Sequence, residues 1–183
     1  MPNSKTLTLI LGGARSGKST YAQKLARERG GDDVLFVATA QALDDEMTAR
    51  IDAHRRERPA GWRTLETPRH AGEAITFAEP SAVVLVDCLT LLVSNAVLAE
   101  GPESASATEA EAAALAQVQE LLAAYRNGTA SWIVISNEVG LGLVPPYPVS
   151  RAYRDALGRA NQRLAAEADE VLFMVAGIPI KVK

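Results

Sequence analysis

A glycine-rich segment near the start of the chain carries residue types that bind phosphate groups. Residues 12–19 read GGARSGKS and fit the pattern G-x-x-x-x-G-K-[S/T]. Glycines let such a loop turn consecutive backbone N–H groups towards phosphate oxygens, and a following helix points its positive end at the same place. Lys18 would bring a mobile charge to the β- and γ-phosphates, and the Ser19 hydroxyl would bind Mg²⁺. Because the motif lies between a predicted strand and a predicted helix, nucleotide binding is favoured over a chance glycine turn.

A second apolar run ends in an acid that suits magnesium binding. Residues 82–87 read AVVLVD, so Asp87 follows a strand of the kind that is buried on both faces. In phosphoryl-transfer proteins with such a loop, an acid in this position holds the metal. The alternative is a surface aspartate that only ends the strand. Small GTPase switches usually carry an Asn-Lys-x-Asp motif that recognises guanine. This sequence has no such motif, since Asn137 is followed by Glu138 and not by lysine, and this disfavours a small GTPase switch.

A charged segment in the first third of the chain sets a histidine among arginines. Residues 44–59 read DDEMTARIDAHRRERP. On a helix Arg50, His54 and Arg58 share one face, and the clustered guanidinium groups could bind phosphates. Nearby positive charge would keep His54 neutral and able to act as a nucleophile, whereas a helix C-terminus would favour its charged form. From the residues alone, a nucleophilic histidine and an incidental one on a solvated helix both stay open.

The other histidine, the cysteine and the tryptophans have simpler interpretations. His70 lies at a predicted helix start and is interpreted as a surface or capping residue. Cys88 follows a buried run and is predicted to pack as an apolar side chain. Trp62 and Trp132 flank strands, as core residues do. Residues 137–142 (NEVGLG) follow a strand end, where open α/β sheets bind ligands, although a flexible loop explains their glycines equally well.

Short apolar strands alternate with helical periodicities, and these elements must position the residues above. Strand–helix alternation predicts an α/β fold with a mainly parallel sheet and helices on both faces, here as one domain over residues 1–183. In the second helix, the spacing of Met47 and Ile51 predicts one buried stripe. Residues 100–107 are predicted to form a loop, and residues 144–148 (VPPYP) a stiff turn. The predicted strands are 6–11, 34–38, 62–66, 82–86, 131–136 and 170–175, and the predicted helices are 19–28, 45–57, 89–98, 108–125 and 150–167.

The composition excludes several classes of protein. Among 183 residues, 48% are apolar and 22% are charged, with a formal net charge of −3. This balance disfavours a disordered chain and a protein whose main task is to wrap nucleic acid. One cysteine excludes an internal disulfide, and two histidines leave little material for a metal cluster. The apolar run 82–99 is broken by polar residues, so we expect no membrane span and a cytoplasmic protein.

Taken together, these segments resemble one family, the bifunctional adenosylcobinamide kinase/adenosylcobinamide-phosphate guanylyltransferase of cobalamin biosynthesis. The resemblance covers nearly the whole chain. Its most specific parts are residues 38–66 and 161–164, whereas many families share the phosphate loop. It rests on LILGGARSGKS, VATAQALDDEM, RIDAHRRERPAGWRTLE, ISNEVGLGLVP and GRANQRLAAEADEVLFMVAGIPIKVK.

The resemblance implies a fold, two reactions and their site residues. It implies a RecA-like P-loop NTPase fold, a trimer with sites near subunit boundaries, Mg²⁺, and GTP and ATP as substrates. Such enzymes phosphorylate the aminopropanol hydroxyl of adenosylcobinamide, a corrinoid, and then transfer GMP from GTP to that phosphate, releasing pyrophosphate. The second reaction passes through a GMP–histidine intermediate, which matches His54 here, and Ser19 and Asp87 match the metal ligands. The residues matched to GTP or its metal are Gly12, Gly13, Ala14, Arg15, Ser16, Gly17, Lys18, Ser19, Ala38, Thr39, Ala40, Arg55, Arg56, Glu57, Arg58, Glu66 and Asp87.

Two other functions stay open from the sequence. One is a P-loop small-molecule kinase without nucleotidyl transfer, or a transferase that has lost the kinase step. The other is a non-catalytic nucleotide-binding regulator, which the histidine among arginines disfavours. Some relatives carry a His-His pair where this chain has Ala53-His54, so only the second position is available here. The resemblance identifies no corrinoid contacts and no base for the kinase step.

Overall fold

A computed structural model describes residues 5–99 and 106–183 and, within them, every side chain except those of Arg50, His54 and Glu57. The strands are β1 (Leu7–Gly12), β2 (Val34–Ala38), β3 (Arg63–Glu66), β4 (Val83–Asp87), β5 (Ser131–Ile135), β6 (Glu170–Val175) and β7 (Ile178–Lys181). The helices are α1 (Lys18–Gly30), α2 (Asp45–Glu57), α3 (Ala71–Phe77), α4 (Leu89–Val97), α5 (Ala107–Asn127) and α6 (Pro148–Glu167). No described helix is both long enough and apolar enough to cross a membrane.

The strands form one seven-stranded sheet in the order β3-β2-β4-β5-β1-β6-β7. All neighbours pair in parallel except β6 and β7, which are antiparallel. β1, β4 and β5 lie inside the sheet, and their runs of apolar residues are buried on both faces. The α/β fold with a mainly parallel sheet is therefore confirmed, and the loops after β1, β4 and β5 emerge at one edge.

Alternate residues of β1, β2, β4, β5 and β6 enter two separate cores. Trp132 and Val134 of β5 face the core that contains residues of α3, α4, α5 and α6. Ile133 and Ile135 face the smaller core on the side of α1, which also holds Trp62. Both tryptophans are buried, as the sequence predicted. Helices on both faces thus fix the strand ends from two sides.

Local sequence signals explain where the helices begin. The Asp44 carboxylate accepts a hydrogen bond from Met47 N–H at 2.7 Å and caps α2. Ser106 and Glu109 form a reciprocal capping box at the start of α5. α6 begins two residues before its predicted start because Pro148 occupies its first turn, where proline needs no N–H partner.

Two elements differ from the predicted ones. The sequence indicated only a helix start at His70, where the short helix α3 follows, and it missed β7 altogether. β7 pairs only with β6 and carries Pro179, which an edge strand tolerates because its outer N–H groups need no strand partner. Of the predicted loop 100–107, residues 100–105 lie outside the described part of the chain.

Candidate active site

A cavity of about 860 Å³ opens at the carboxyl ends of the central strands. Its wall includes Ala38 at the end of β2, Asp87 at the end of β4 and Ile135 at the end of β5. Ligands of open α/β sheets bind at this edge, and the volume is within the usual range for small-molecule sites. The cavity is the structure's candidate active site.

The predicted phosphate loop forms the floor of this cavity between β1 and α1. Arg15 (φ 56°) and Gly17 (φ 91°) adopt left-handed backbone conformations, which bend the loop around its centre. The Lys18 ammonium donates hydrogen bonds to the carbonyls of Gly12 at 3.0 Å and Gly13 at 2.6 Å. Lys18 therefore lies along the loop, with its charge at the place where phosphates would bind.

The turn between β6 and β7 supports the phosphate loop from outside. Gly177 N–H donates to the Ser16 carbonyl at 2.9 Å. A Cβ atom on Gly17 would lie only 3.0 Å from the Gly177 Cα. The two segments therefore touch through glycines, and the C-terminal hairpin helps to set the shape of the loop.

A buried hydroxyl joins the ends of β2 and β4. Cys88 N–H donates to Thr39 Oγ1 at 2.8 Å, Thr39 Oγ1 donates to the Cys88 carbonyl at 2.8 Å, and Thr39 N–H donates to the Asp87 carbonyl at 3.2 Å. The Asn95 amide donates to the Thr39 carbonyl at 2.8 Å and to the Pro68 carbonyl at 2.9 Å. Thr39 is 0% exposed, so its side chain holds the backbone around Asp87 and does not face a ligand.

The thiol beside this network is protonated at neutral pH. Burial raises the pKa of Cys88 to about 11, and the Asp87 carboxylate acts in the same direction. A thiol with this pKa is a poor nucleophile. Cys88 packs against the smaller core, as the sequence predicted, and this partly buried residue also lines the cavity.

Two arginines of the charged segment, Arg55 and Arg58, also line the cavity. Arg55 Nε donates to the Glu66 carboxylate at 3.1 Å, and this pairing raises the pKa of Arg55. The Arg58 guanidinium carbon lies 3.7 Å from the centroid of the Phe36 ring, and Nη1 donates to Thr64 Oγ1 at 3.0 Å. Burial lowers the pKa of Arg58, an effect that the Asp87 and Glu66 carboxylates oppose. Both guanidinium groups are thus held in place to meet an anion.

Helix α2 covers the cavity instead of packing deeply into the core. Met47 and Ile51 are only partly buried, and they line the cavity together with Asp52 and Arg55. The predicted buried stripe on this helix is therefore wrong, because its apolar residues face the ligand space. This position makes α2 part of the site.

The structure brings together most of the residues that the sequence selected. Gly12 and Gly13 contact the site through their carbonyls to Lys18, Thr39 lies behind it, and Arg56 is exposed on α2 outside the lining. The side chains of His54 and Glu57 lie outside the described residues. The predicted site residues that line the cavity are Ala14, Arg15, Ser16, Gly17, Lys18, Ser19, Ala38, Ala40, Arg55, Arg58, Glu66 and Asp87.

Several lining residues carried no signal as individual site residues. Phe36 and Leu91 were indistinguishable from other core residues in the sequence. Asn137 belonged to a segment that follows a strand end, and only the sheet order shows that this end lies beside Asp87. Polar residues directly after central strands are the signal that could have selected it.

Comparison with known proteins shows the family of this chain. Residues 8–182 match the model of the family described as cobinamide kinase/cobinamide phosphate guanyltransferase. The chain belongs to this family. The resemblance noted from the sequence is thereby confirmed.

Similar proteins match over nearly their whole length. The chain is 43% identical over 182 residues to the bifunctional adenosylcobalamin biosynthesis protein CobU of Escherichia coli (strain K12), and 44% identical over 182 residues to that of Salmonella typhimurium (strain LT2). Each alignment covers 97% of this chain and 99% of the relative. The bifunctional adenosylcobalamin biosynthesis protein CobP of Pseudomonas aeruginosa is 44% identical over 176 residues, covering 96% of both chains.

A solved structure supports the fold independently of these relatives. It is an ATPase domain that superposes with a TM-score of 0.51 at 16% identity, covering 92% of this chain and 69% of that chain. At this identity the likeness shows the fold alone. It supports the predicted α/β fold with a mainly parallel sheet.

Proposed function

We propose that this chain catalyses both reactions of its family. It phosphorylates the aminopropanol hydroxyl of adenosylcobinamide with ATP or GTP, and then transfers GMP from GTP to the resulting phosphate, giving adenosylcobinamide-GDP and pyrophosphate. The observation that carries this proposal is one cavity that is lined both by the phosphate loop and by Arg55 and Arg58 of the charged segment. Full-length identity of 43–44% to bifunctional relatives supports it.

The kinase step would use the phosphate loop and a magnesium ion. The Ser19 hydroxyl and the Asp87 carboxylate both line the cavity, and such oxygen ligands suit Mg²⁺. Among the described residues no group of three or more carboxylate, histidine or cysteine side chains could hold a metal. This fits Mg²⁺, which usually binds one or two protein oxygens together with substrate phosphates and water. When bound, the ion would neutralise charge on the β- and γ-phosphates.

The guanylyl transfer would proceed through His54. This residue belongs to α2 and directly precedes Arg55, which lines the cavity. A neutral imidazole nitrogen would form a bond to the α-phosphorus of GTP as the bond to the bridging oxygen breaks and pyrophosphate leaves with the electron pair. A phosphate oxygen of adenosylcobinamide phosphate would then attack the same phosphorus and return the electron pair to the imidazole. Two such steps replace one difficult displacement.

The proposal also includes where the enzyme acts and how it assembles. The enzyme acts in the cytoplasm on a small corrinoid and nucleotides. The family resemblance supports these substrates and a homo-oligomer with three subunits. Neither a nucleic acid nor a membrane is needed for these reactions.

Covalent labelling tests the proposal directly. The protein is incubated with Mg²⁺ and GTP labelled on the α-phosphate, denatured, and weighed intact. We expect the wild type to gain one GMP through an acid-labile, base-stable bond, and His54→Ala to gain none. His70→Ala is the matched control, because His70 is the only other histidine in the chain and its ring hydrogen-bonds to Glu120 on α5.

Each other outcome has a definite meaning. Absence of an adduct on the wild type would overturn the covalent mechanism and leave a small-molecule kinase or a nucleotide-binding regulator. An adduct that persists in His54→Ala would keep the chemistry and assign it to another nucleophile. Turnover of ATP or GTP that depends on adenosylcobinamide separates the kinase from the regulator.

A further inference from the structure

Two buried side chains fix the backbone of Asn137, which follows β5 after Ser136. Its N–H donates to Thr90 Oγ1 at 2.6 Å, and its carbonyl accepts from the Asn161 amide at 3.1 Å. Thr90 is 6% exposed and Asn161 is 5% exposed, so water does not compete strongly for these bonds. They come from two different helices, α4 and α6. The orientation of residue 137 is therefore held from both sides.

The role of Asn161 is explained by this contact. Its amide oxygen is buried without a hydrogen-bond partner among the described residues, whereas its nitrogen binds the Asn137 carbonyl. A buried polar atom without a partner destabilises a fold. The asparagine at position 161 thus serves chiefly to hold residue 137.

Asn137 is one of the residues that line the candidate active-site cavity. In the sheet β5 lies between β4, which ends in Asp87, and β1, which leads into the phosphate loop. The next residue is tied to that loop, since Glu138 N–H donates to the Gly12 carbonyl at 3.1 Å. The structure shows no hydrogen bond from the Asn137 amide to another residue of the described ranges. Residue 137, which carries a neutral donor, therefore follows the strand that lies between the phosphate-loop strand and the strand that ends in Asp87, the proposed metal ligand.

We infer that Asn137 is a catalytic residue of the kinase step, whose amide N–H donates to the γ-phosphate of the bound nucleoside triphosphate. The inference rests on the proposed function. Lys18 and a metal at Asp87 would meet the β- and γ-phosphates from two sides, and Asn137 lies between them. Thr90 and Asn161 are positioning residues, because their side chains hold the backbone of Asn137.

The donor acts on charge that develops during transfer. The acceptor hydroxyl oxygen forms a bond to the γ-phosphorus, the bond to the β,γ-bridging oxygen breaks, and the nucleoside diphosphate leaves with the electron pair. The hydroxyl proton passes to water. Negative charge is spread over the γ-phosphoryl oxygens in the transition state, and a fixed N–H donor stabilises it without reorganisation.

Substitution of Asn137 by alanine separates this role from a structural one. The backbone bonds to Thr90 and Asn161 survive in Asn137→Ala, because they do not involve the amide. We expect kcat for phosphoryl transfer to adenosylcobinamide to fall about 100- to 1000-fold, the usual effect of losing one transition-state donor. The KM for the nucleotide should change less than about threefold, since ground-state binding depends mainly on the phosphate loop. Asn137→Asp should lose at least as much activity, because a carboxylate repels the phosphate.

Further variants and a second assay complete the experiment. Asn127→Ala is the matched control, an exposed asparagine at the end of α5, and it should keep wild-type kinetics. Asn161→Leu and Thr90→Val should lower kcat about tenfold with little change in KM. Guanylyl transfer, measured with adenosylcobinamide phosphate supplied, should fall much less in Asn137→Ala, because attack there occurs at the α-phosphorus. Circular dichroism and urea unfolding check that each variant is folded.

The outcomes distinguish this inference from the proposed function. If the wild type transfers phosphate and Asn137→Ala keeps kcat within about twofold, the inference is overturned and the proposed function stands. Equal losses in both reactions would indicate a structural role and would also overturn it. A wild-type protein without phosphoryl transfer would overturn the kinase proposal and this inference together.

Discussion

Thr39→Val removes one hydroxyl from the site without changing the shape of the side chain. In the wild type this hydroxyl accepts a hydrogen bond from Cys88 N–H and donates one to the Cys88 carbonyl, both at 2.8 Å. Valine fills the same volume and cannot make either bond. The substitution therefore tests whether the junction of β2 and β4 depends on a single oxygen atom.

The expected loss follows from the partners that remain. The Cys88 carbonyl keeps a hydrogen bond from Leu92 N–H at 3.1 Å, so it is not left unpaired. No second acceptor reaches Cys88 N–H within the described ranges, and an orphaned backbone donor costs about 1–3 kcal/mol. Together with about 1 kcal/mol for the lost hydroxyl bond, Thr39→Val should lower the free energy of unfolding by about 2–4 kcal/mol. Thr39→Ser keeps the oxygen and loses one buried methyl group, which costs about 1 kcal/mol.

Urea unfolding of the wild type and both variants measures this difference. Under the proposed function Asp87 binds Mg²⁺, and Asp87 directly precedes Cys88. Thr39→Val should then weaken binding of the Mg²⁺–nucleotide complex about tenfold, the usual effect of disturbing a partner behind a metal ligand. Thr39→Ser should bind nearly as the wild type does. If valine is tolerated as well as serine in both assays, the hydroxyl does not hold the strand ends and the assignment is wrong.

Two further predictions concern packing and the thiol. Gly72→Ala should lower the free energy of unfolding by about 3 kcal/mol or more, measured by urea unfolding, because its Cβ would clash with the Glu120 carbonyl group. Gly142→Ala, where a Cβ meets nothing within 4 Å, is the matched control and should be neutral. Because burial raises the pKa of Cys88 to about 11, iodoacetamide should label the folded protein very slowly at pH 8 and faster as the pH approaches 11. The urea-unfolded chain should react readily at pH 8, and equal rates for the two forms would show that the thiol is neither buried nor shifted.

The sequence could predict the central sheet and the phosphate loop because both have strong local signals. Buried parallel strands are continuous apolar runs, and β2, α2 and β6 have the predicted bounds. β7 was missed because Gly177 lies just before it and Pro179 lies within it. Both residue types are typical of turns and loops. An edge strand with exposed apolar residues has neither periodicity nor burial to indicate it.

The sequence could predict which charged residues belong to the candidate site, but not which way individual side chains point. The family resemblance selected Ala38, Thr39 and Ala40 together, and only strand register shows that the middle side chain turns away from the cavity. Asn137 and Asn161 are 24 residues apart, and no local pattern joins them. Such contacts depend on how helices pack over the sheet, which a single sequence does not reveal.

The contact between Gly177 and Ser16 has a consequence for biosynthesis of the protein. The phosphate loop leaves the ribosome long before the turn that supports it, because all six helices of the described ranges lie between Ser16 and Gly177 in the chain. A nascent chain that has already made α1 through α6 still lacks this support. Nucleotide therefore meets a finished loop only after the turn at Gly177 has been made, and a chain cut just before that turn should bind nucleotide less well at a loop far away in sequence.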